Sequence, residues 1–270
     1  MNFTDKVIII TGASSGIGRA LAIALAQQGA HLALAARDLA ALEETAHACR
    51  ELGAQVLAVQ TDVTDAAQCQ QCIEQTIQAW GRIDCLVNNA GVSCVSRFDE
   101  VSDLSVFTHL MQVNYLGAVY CTHAALPYIK QSQGLLVAIS SLCGKTGIPL
   151  RSGYVASKHA MQGFFDTLRI ELLHTGVGVL VVSPGFVATP IRQKALKGDG
   201  TLWGQSHRDE ERHTMSVETC VRQILVGMSQ RKREVIMTPK GKLLPWARLI
   251  VPQLVDRIAA AAVTSTTISQ

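Results

Sequence analysis

The sequence predicts an α/β protein with one doubly wound parallel sheet and helices on both of its faces. Short apolar segments rich in β-branched residues alternate with longer helical segments, which is typical of βαβ units. Segments such as 179–182 are apolar at every position, as expected of strands that are buried on both faces. No linker-like change of composition occurs before about residue 190, so these units are expected to form a single domain.

Glycine and other turn residues mark the ends of the expected elements. We predict strands at 7–10, 31–36, 55–60, 85–88, 134–140 and 178–182. Helices are predicted at 17–28, 40–52, 66–80, 105–130 and 154–175. The main domain is expected to cover residues 1–240, with an insert at about 190–215. Residues 241–270 are expected to form a helical extension and a frayed tail of the same domain.

Composition and charge limit the classes of protein to consider. The chain has 270 residues, 17% of them charged, and a net charge of +3, which indicates a globular protein and gives no reason to expect a nucleic-acid partner. Neither a secretory signal nor an apolar run of membrane-spanning length is visible. We therefore expect a cytoplasmic protein, or one peripheral to a membrane.

The eight cysteines are expected to be reduced thiols, because no signal for secretion accompanies them. Cys69 and Cys72 form a CxxC pair, which can hold a metal or act in redox chemistry. No second pair or nearby histidines complete a metal site, so these residues are expected to be ordinary helix residues. No metal is predicted.

A glycine-rich turn follows the first strand. Gly12, Gly16 and Gly18 let the turn be tight and let a diphosphate approach backbone N–H groups, and the N-terminus of the next helix favours an anion there. The position between a strand and a helix favours a dinucleotide site. A strand-to-helix turn without a ligand is the alternative.

Arg37 ends the second strand, where folds of this kind contact the adenine ribose. An acidic residue there would bind the ribose hydroxyls, whereas a guanidinium suits a 2′-phosphate. The sequence therefore favours NADP(H) over NAD(H). Two alternatives stay open: Arg37 is only solvated, or the neighbouring Asp38 neutralises it.

Tyr154 and Lys158 lie four residues apart, which places them on one face of a helix. A lysine cation near the phenol would favour the phenolate and lower the pKa of the tyrosine, giving a general acid and base near neutral pH. A solvated helix face is the alternative for the pair taken alone.

These motifs, taken together, closely resemble the short-chain dehydrogenase/reductase family from about residue 6 to residue 190. The resemblance implies a Rossmann-like fold and a homodimer or homotetramer. It rests on motifs in the family's order: Thr11-Gly12-Ala13-Ser14-Ser15-Gly16-Ile17-Gly18, Asp62-Val63, Asn88-Asn89-Ala90-Gly91, Asn114, Ser140-Ser141, Tyr154-Val155-Ala156-Ser157-Lys158 and Pro184-Gly185-Phe186-Val187-Ala188-Thr189.

The resemblance implies an oxidoreductase that interconverts a carbonyl and a secondary alcohol. Tyr154 would exchange a proton with the reacting oxygen, Ser141 would hydrogen-bond that oxygen, and Asn114 would order a water that connects Lys158 to solvent. Lys158 would hold the nicotinamide ribose and lower the pKa of Tyr154. The cofactor residues would be Gly12, Ser14, Ser15, Gly16, Ile17, Gly18, Arg37, Asp62, Val63, Asn89, Ala90, Gly91, Tyr154, Lys158, Pro184, Gly185, Val187 and Thr189.

The small-molecule substrate is expected to contact Ser141, Cys143 and Tyr154. The loop after Ser141 and the insert after Gly185 would supply a mainly apolar wall, made of Leu142, Cys143, Ile148, Phe186 and Trp203. Val92-Ser93-Cys94 is a third candidate for this wall. This wall favours a hydrophobic ketone or alcohol. The charged residues between 192 and 213 are expected to form a solvated lid, not an anion site.

An apolar stripe at helical spacing follows the main domain: Leu243, Trp246, Ile250, Leu254 and Ile258. Pro252 is expected to kink or divide this helix. The favoured interpretation is packing on the chain's own domain or on a sister subunit. Weak contact with an anionic membrane surface is the alternative, because basic residues accompany the stripe.

A second class of function stays open at this stage. A chain of the same fold could bind the dinucleotide as a sensor or scaffold without chemistry. Intact Ser141, Tyr154 and Lys158 favour the enzyme.

Overall fold

Seven parallel strands form one sheet in the order β3-β2-β1-β4-β5-β6-β7. The computed structural model describes residues 2–204 and 214–267. The strands are β1 Val7–Thr11, β2 His31–Ala36, β3 Val56–Gln60, β4 Cys85–Asn88, β5 Leu135–Ile139, β6 Gly178–Ser183 and β7 Glu234–Ile236. The predicted parallel sheet is confirmed.

Alternating side chains of the central strand β1 pack into two apolar cores, one on each face of the sheet. In β1, Ile8 and Ile10 enter one apolar cluster, whereas Ile9 enters the other, and all three are fully buried. Ile8 is paired with Leu32 of β2 on one side and with Cys85 of β4 on the other. This burial on both faces explains why the strand is apolar at consecutive positions.

Helices cover both faces of the sheet, as predicted. They are α1 Gly16–Ala26, α2 Leu39–Glu51, α3 Ala66–Trp80, α4 Ser105–Met111, α5 Gly117–Gln131, α6 Ser152–Glu171, α7 Val217–Ser229, α8 Pro239–Ile250 and α9 Pro252–Thr267. One core lies under α1, α2 and α7, and the other lies under α3, α5 and α6. The CxxC pair lies buried in α3, and all eight cysteines are free thiols.

The predicted helix at 105–130 is interrupted. A π-helical segment, Gln112–Leu116, separates α4 from α5 and carries Asn114. Such segments shift the phase of a helix and are frequent at functional sites. The strand β7 and the helix α7 were not among the predicted elements.

Two adjacent strand ends create the crevice in which ligands bind in such sheets. The chain order reverses between β1 and β4, and the carboxyl ends of both strands lie at the same edge. The glycine turn follows β1, and Asn89-Ala90-Gly91 follows β4. Strand pairing therefore brings these two motifs together.

The C-terminal extension consists of α8 and α9, and Pro252 divides them as predicted. The apolar stripe is not packed on its own domain: Leu243 is 68% exposed, Trp246 66% and Ile250 75%. That part of the favoured interpretation is wrong, because Gly241 and Arg248 face the domain instead. A Cβ on Gly241 would meet Leu142, and the Arg248 guanidinium donates to the Lys145 carbonyl.

Among the described helices, none has both the length and the hydropathy to span a membrane. Residues 205–213 and 268–270, which belong to the predicted lid and tail, lie outside the described part of the chain.

Candidate active site

A cleft of about 920 Å³ opens at the carboxyl edge of the sheet. Every residue predicted to bind the cofactor lines this cleft except Gly18, which is buried beneath the turn. Ser141, Cys143, Tyr154 and Lys158 line it as well, whereas Asn114 lies fully buried behind its wall.

The glycine turn is shaped by backbone conformation and by close packing. Gly12 and Gly16 adopt φ angles of +66° and +55°, which side chains disfavour. A Cβ on Gly18 would lie 2.4 Å from the Gly12 oxygen and 2.5 Å from Asn89 Nδ2, so only glycine fits. Ser15 precedes α1 and makes no side-chain cap, which leaves the helix N-terminus for an anion such as a diphosphate.

Thr11 and Asn89 fasten the turn to the end of β4. The Thr11 hydroxyl accepts from the backbone N–H groups of Asn89 and Ala90, each at 3.0 Å. The Asn89 amide donates to the carbonyls of Thr11 at 2.8 Å and Gly12 at 3.1 Å. The Asn89 side chain therefore holds the cleft wall in place.

At the other end of the cleft, the Arg37 side chain is exposed at the tip of β2. Asp38 caps α2, where its carboxylate accepts from the Ala41 N–H at 3.1 Å. No ion pair joins these two described residues. The Asp38 carboxylate therefore caps α2, which argues against the alternative that it neutralises Arg37.

Asp62 and Val63 lie after β3 in fixed positions. The Asp62 carboxylate accepts from the N–H and hydroxyl of Thr64 at 2.9 and 2.8 Å. Val63 packs against the backbone of Gly117, where a Cβ would come within 2.8 Å of the valine side chain. The start of α5 therefore supports this part of the wall.

Tyr154 and Lys158 lie on the cleft side of α6, one turn apart. The Lys158 Nζ lies 5.8 Å from the centroid of the Tyr154 ring and donates to the Ile139 carbonyl at 2.9 Å. Asn114 Nδ2 donates to Ser157 Oγ and to the Val92 carbonyl, each at 2.9 Å. The π-helical segment thus ties the loop after β4 to the helix that carries the pair.

Ser141 lies two residues after the end of β5 and begins a short turn beside the phenol. Its hydroxyl accepts from the Cys143 N–H at 3.1 Å. The Ser141 hydroxyl also favours the ionised form of Tyr154 and so opposes the effect of burial on the pKa of that phenol. Ser141 and Tyr154 are therefore placed to share one substrate oxygen.

Burial controls the protonation of the pair. Burial raises the pKa of the Tyr154 phenol well above its usual value, and it lowers the pKa of the Lys158 ammonium to about 8. The prediction that Lys158 lowers the pKa of Tyr154 stays a prediction, because in the protein by itself burial has the larger effect on that pKa. In a site of low polarity both charged forms are disfavoured, and the weaker opposing effects on Tyr154 come from Arg151 and Ser141.

The wall beyond Tyr154 differs from the predicted one. Cys143 and Phe186 line the cleft, but Leu142, Ile148 and Trp203 do not. Leu142 instead packs against Gly185 and Gly241. Other residues of the predicted wall segments do line it: Val92, Ser93, Ile191, Arg192, Lys194, Leu196 and Leu202. The wall also contains His109, Val113 and Arg151, which the sequence analysis did not identify. Arg151 was recognisable, because it precedes Tyr154 by one helical turn.

Replacing Lys158 with methionine tests the effect of burial on the amine. Between about pH 8 and pH 10.5 the folded protein binds fewer protons at Lys158 than the unfolded chain does, so stability rises with pH there. Across this window we expect the free energy of unfolding to rise more for the wild type than for Lys158→Met. The difference should be roughly 3 kcal/mol at most.

Urea unfolding at a series of pH values measures this gain. Lys232→Met, which removes an exposed lysine, should follow the wild-type profile. Parallel profiles for the wild type and Lys158→Met would contradict the expectation.

Comparison with known proteins agrees with this architecture. The family model of the short chain dehydrogenases matches residues 6–200. A protein of Arabidopsis thaliana, 11-beta-hydroxysteroid dehydrogenase-like 4A, is 38% identical over 250 residues, which cover 92% of this chain and 82% of that protein.

Solved structures of such enzymes have the same fold. A short-chain dehydrogenase/reductase from Burkholderia phymatum in complex with NAD matches with a TM-score of 0.83 and 26% identity, over 94% of this chain and 96% of that one. An alcohol dehydrogenase from Thermococcus sibiricus complexed with 5-hydroxy-NADP matches with a TM-score of 0.73 and 30% identity, over 85% and 93% of the two chains. The chain therefore belongs to the short-chain dehydrogenase family and is an oxidoreductase of carbonyl or alcohol groups.

Proposed function

We propose that the protein transfers hydride between NADP(H) and a carbonyl or secondary alcohol on a substrate with an apolar body. The observation that carries the proposal is the meeting of Ser141, Tyr154 and Lys158 in one cleft with the glycine turn. The turn fits a dinucleotide, because its glycines leave no side chain in the way and the α1 N-terminus faces the cleft. The bound nicotinamide supplies or accepts the hydride.

Side chains of the protein transfer the proton that accompanies the hydride. Tyr154 donates its proton to the substrate oxygen in reduction and takes one back in oxidation, while Ser141 hydrogen-bonds the same oxygen. Lys158 holds the nicotinamide ribose and supplies the proton that replaces the one from Tyr154. Its pKa of about 8 suits both tasks near neutral pH. Asn114 positions α6, and its link through water to Lys158 stays a prediction.

The adenine end favours the phosphorylated dinucleotide. The exposed guanidinium of Arg37 would pair with the 2′-phosphate, since Asp38 serves the α2 cap. An 11-beta-hydroxysteroid dehydrogenase-like relative supports a hydrophobic substrate. Val92, Val113 and Leu196 supply apolar surface for such a body.

Three proposals concern partners and location. Assembly into a homodimer or homotetramer stays a proposal, as does a cytoplasmic or membrane-peripheral location. For the exposed stripe of α8 and α9 we favour an anionic membrane surface. The described side chains of the two helices include Lys242, Arg248 and Arg257 but only one carboxylate, Asp256. A two-fold contact between copies through this face would bring like charges together.

Replacing Tyr154 with phenylalanine should lower kcat by about 100-fold or more, because the proton donor is lost. NADPH should still protect the variant from thermal unfolding, since the ring remains. NADPH absorbance with a panel of ketones and alcohols measures turnover, and Tyr128→Phe in α5 is the matched control. An active Tyr154→Phe protein would refute the mechanism. NADPH protection without turnover of any substrate would favour the sensor or scaffold.

Replacing Arg37 with glutamine should weaken NADPH binding about 10- to 100-fold, because a charge-assisted contact is lost. NADH binding should change little. Calorimetric titration with each nucleotide measures the ratio, and Arg19→Gln is the control, since that exposed arginine follows the turn but does not line the cleft. Equal losses for both nucleotides would show that Arg37 does not read the phosphate.

The exposed stripe should bind vesicles that contain phosphatidylglycerol and not those of phosphatidylcholine alone. Replacing Trp246 and Ile250 with serine should abolish co-sedimentation, because exposed apolar surface of the stripe is removed. The matched control replaces Ile170 and Leu173, which are as exposed as Trp246 but lie outside the extension. A sister subunit would be favoured by two results together: the wild type forms oligomers but does not bind vesicles, and the variant with serine at Trp246 and Ile250 no longer forms those oligomers.

A further inference from the structure

The charged side chains of the cleft are divided between its ends. The described acidic residues that line it, Asp38 and Asp62, both lie at the adenine end. Around Tyr154 the described charged residues of the wall are all cations: Lys158 itself, Arg151, Arg192 and Lys194. This division was not expected, since the charges after residue 190 were predicted to form a solvated lid.

Of these cations, Arg151 is the closest in sequence to Tyr154. It occupies the N-cap of α6, so its side chain starts one turn before Tyr154. The residue is only partly exposed, and its Nη1 donates to Ser93 Oγ at 3.1 Å. Ser93 belongs to the loop after β4, so this bond directs the guanidinium across the substrate end of the cleft.

Phe186 lies on the opposite wall and faces the same group. The centre of the Arg151 guanidinium lies 6.0 Å from the centroid of the Phe186 ring, and that of Arg192 lies 4.6 Å from it. Two guanidinium groups thus share one aromatic ring beside the cleft. Held by Ser93 and Phe186, the planar fork of Arg151 is oriented before any ligand arrives, which suits recognition of a carboxylate.

The positive charge acts at the reacting groups. It lowers the pKa of the Tyr154 phenol and of the Cys143 thiol, in both cases against the larger effect of burial. An anionic group placed beside Arg151 would therefore lie in the field that also acts on Tyr154.

We propose that Arg151 selects substrates in which an anionic oxygen group, of the carboxylate class, accompanies the reacting carbonyl or alcohol. The substrate would be an amphiphilic oxo or hydroxy acid: its acid group pairs with Arg151, and its apolar body lies against Val113, Leu196 and Leu202. This inference rests on the proposed function and narrows its substrate class.

Paired ligands that differ only in charge test the inference. We would measure binding and kcat/KM for 4-acetylbenzoate and 10-oxoundecanoate, each against its methyl ester, with NADPH present. The wild type should prefer the acids by about 10- to 100-fold. Arg151→Met should reduce this preference at least tenfold through the KM of the acids, and Arg151→Lys should retain part of it. Raising the salt concentration should weaken it.

Arg222→Met is the matched control, because it removes an exposed arginine from α7 without touching the cleft. Its acid-to-ester ratio should equal that of the wild type. If the wild type prefers neither member of a pair, or if Arg151→Met weakens acid and ester equally, Arg151 only braces Ser93 and Phe186 and the inference fails. If acids bind selectively but no compound is turned over, the proposed function fails while the anion site stands.

Discussion

The whole cleft depends on how the ends of β1 and β4 are joined. One threonine hydroxyl and one asparagine amide make four hydrogen bonds between the two strand ends, from Thr11 and Asn89. They fix the approach of the glycine turn so closely that Gly18 cannot carry a methyl group. The nucleotide would contact backbone that these polar side chains hold, so its site is set before it binds.

Close packing also determines the pKa values of Tyr154 and Lys158. Tyr154 and Lys158 are enclosed between β5, the π-helical segment and the loop after Ser141, and burial disfavours the charge on each. An isolated pair on a helix surface would hold its protons at their usual pKa values. Here the enclosure keeps the amine close to the point of losing its proton, at a cost in stability that a site of this kind commonly carries.

The fold was predictable because its signals are local. Apolar runs bounded by glycine predicted six of the seven described strands, and the order of the motifs predicted most residues that line the adenine side of the cleft. The three-residue strand β7 is too short to give a pattern, and a π-helical turn has the same composition as an α-helical one. The segments of the substrate wall were predicted, but not which of their side chains line the cleft, because the wall is built from separate loops. In them an apolar residue such as Leu142 can face the core as easily as the cleft. Sequence spacing also carries no information on burial, which decided the pKa of Tyr154.

The π-helical segment has a consequence for how the two ends of the cleft can vary. One extra residue in a helical turn rotates everything after it by about 100°. Before the segment, Val106 and Leu110 join the small apolar cluster around Tyr154. After it, Ala118 and Cys121 join the core beneath the sheet. The helices α4 and α5, joined by the π-helical segment, therefore pack into two separate apolar clusters. Substitutions on α4 can reshape the substrate side while α5, and the cofactor wall that it supports, keep their packing.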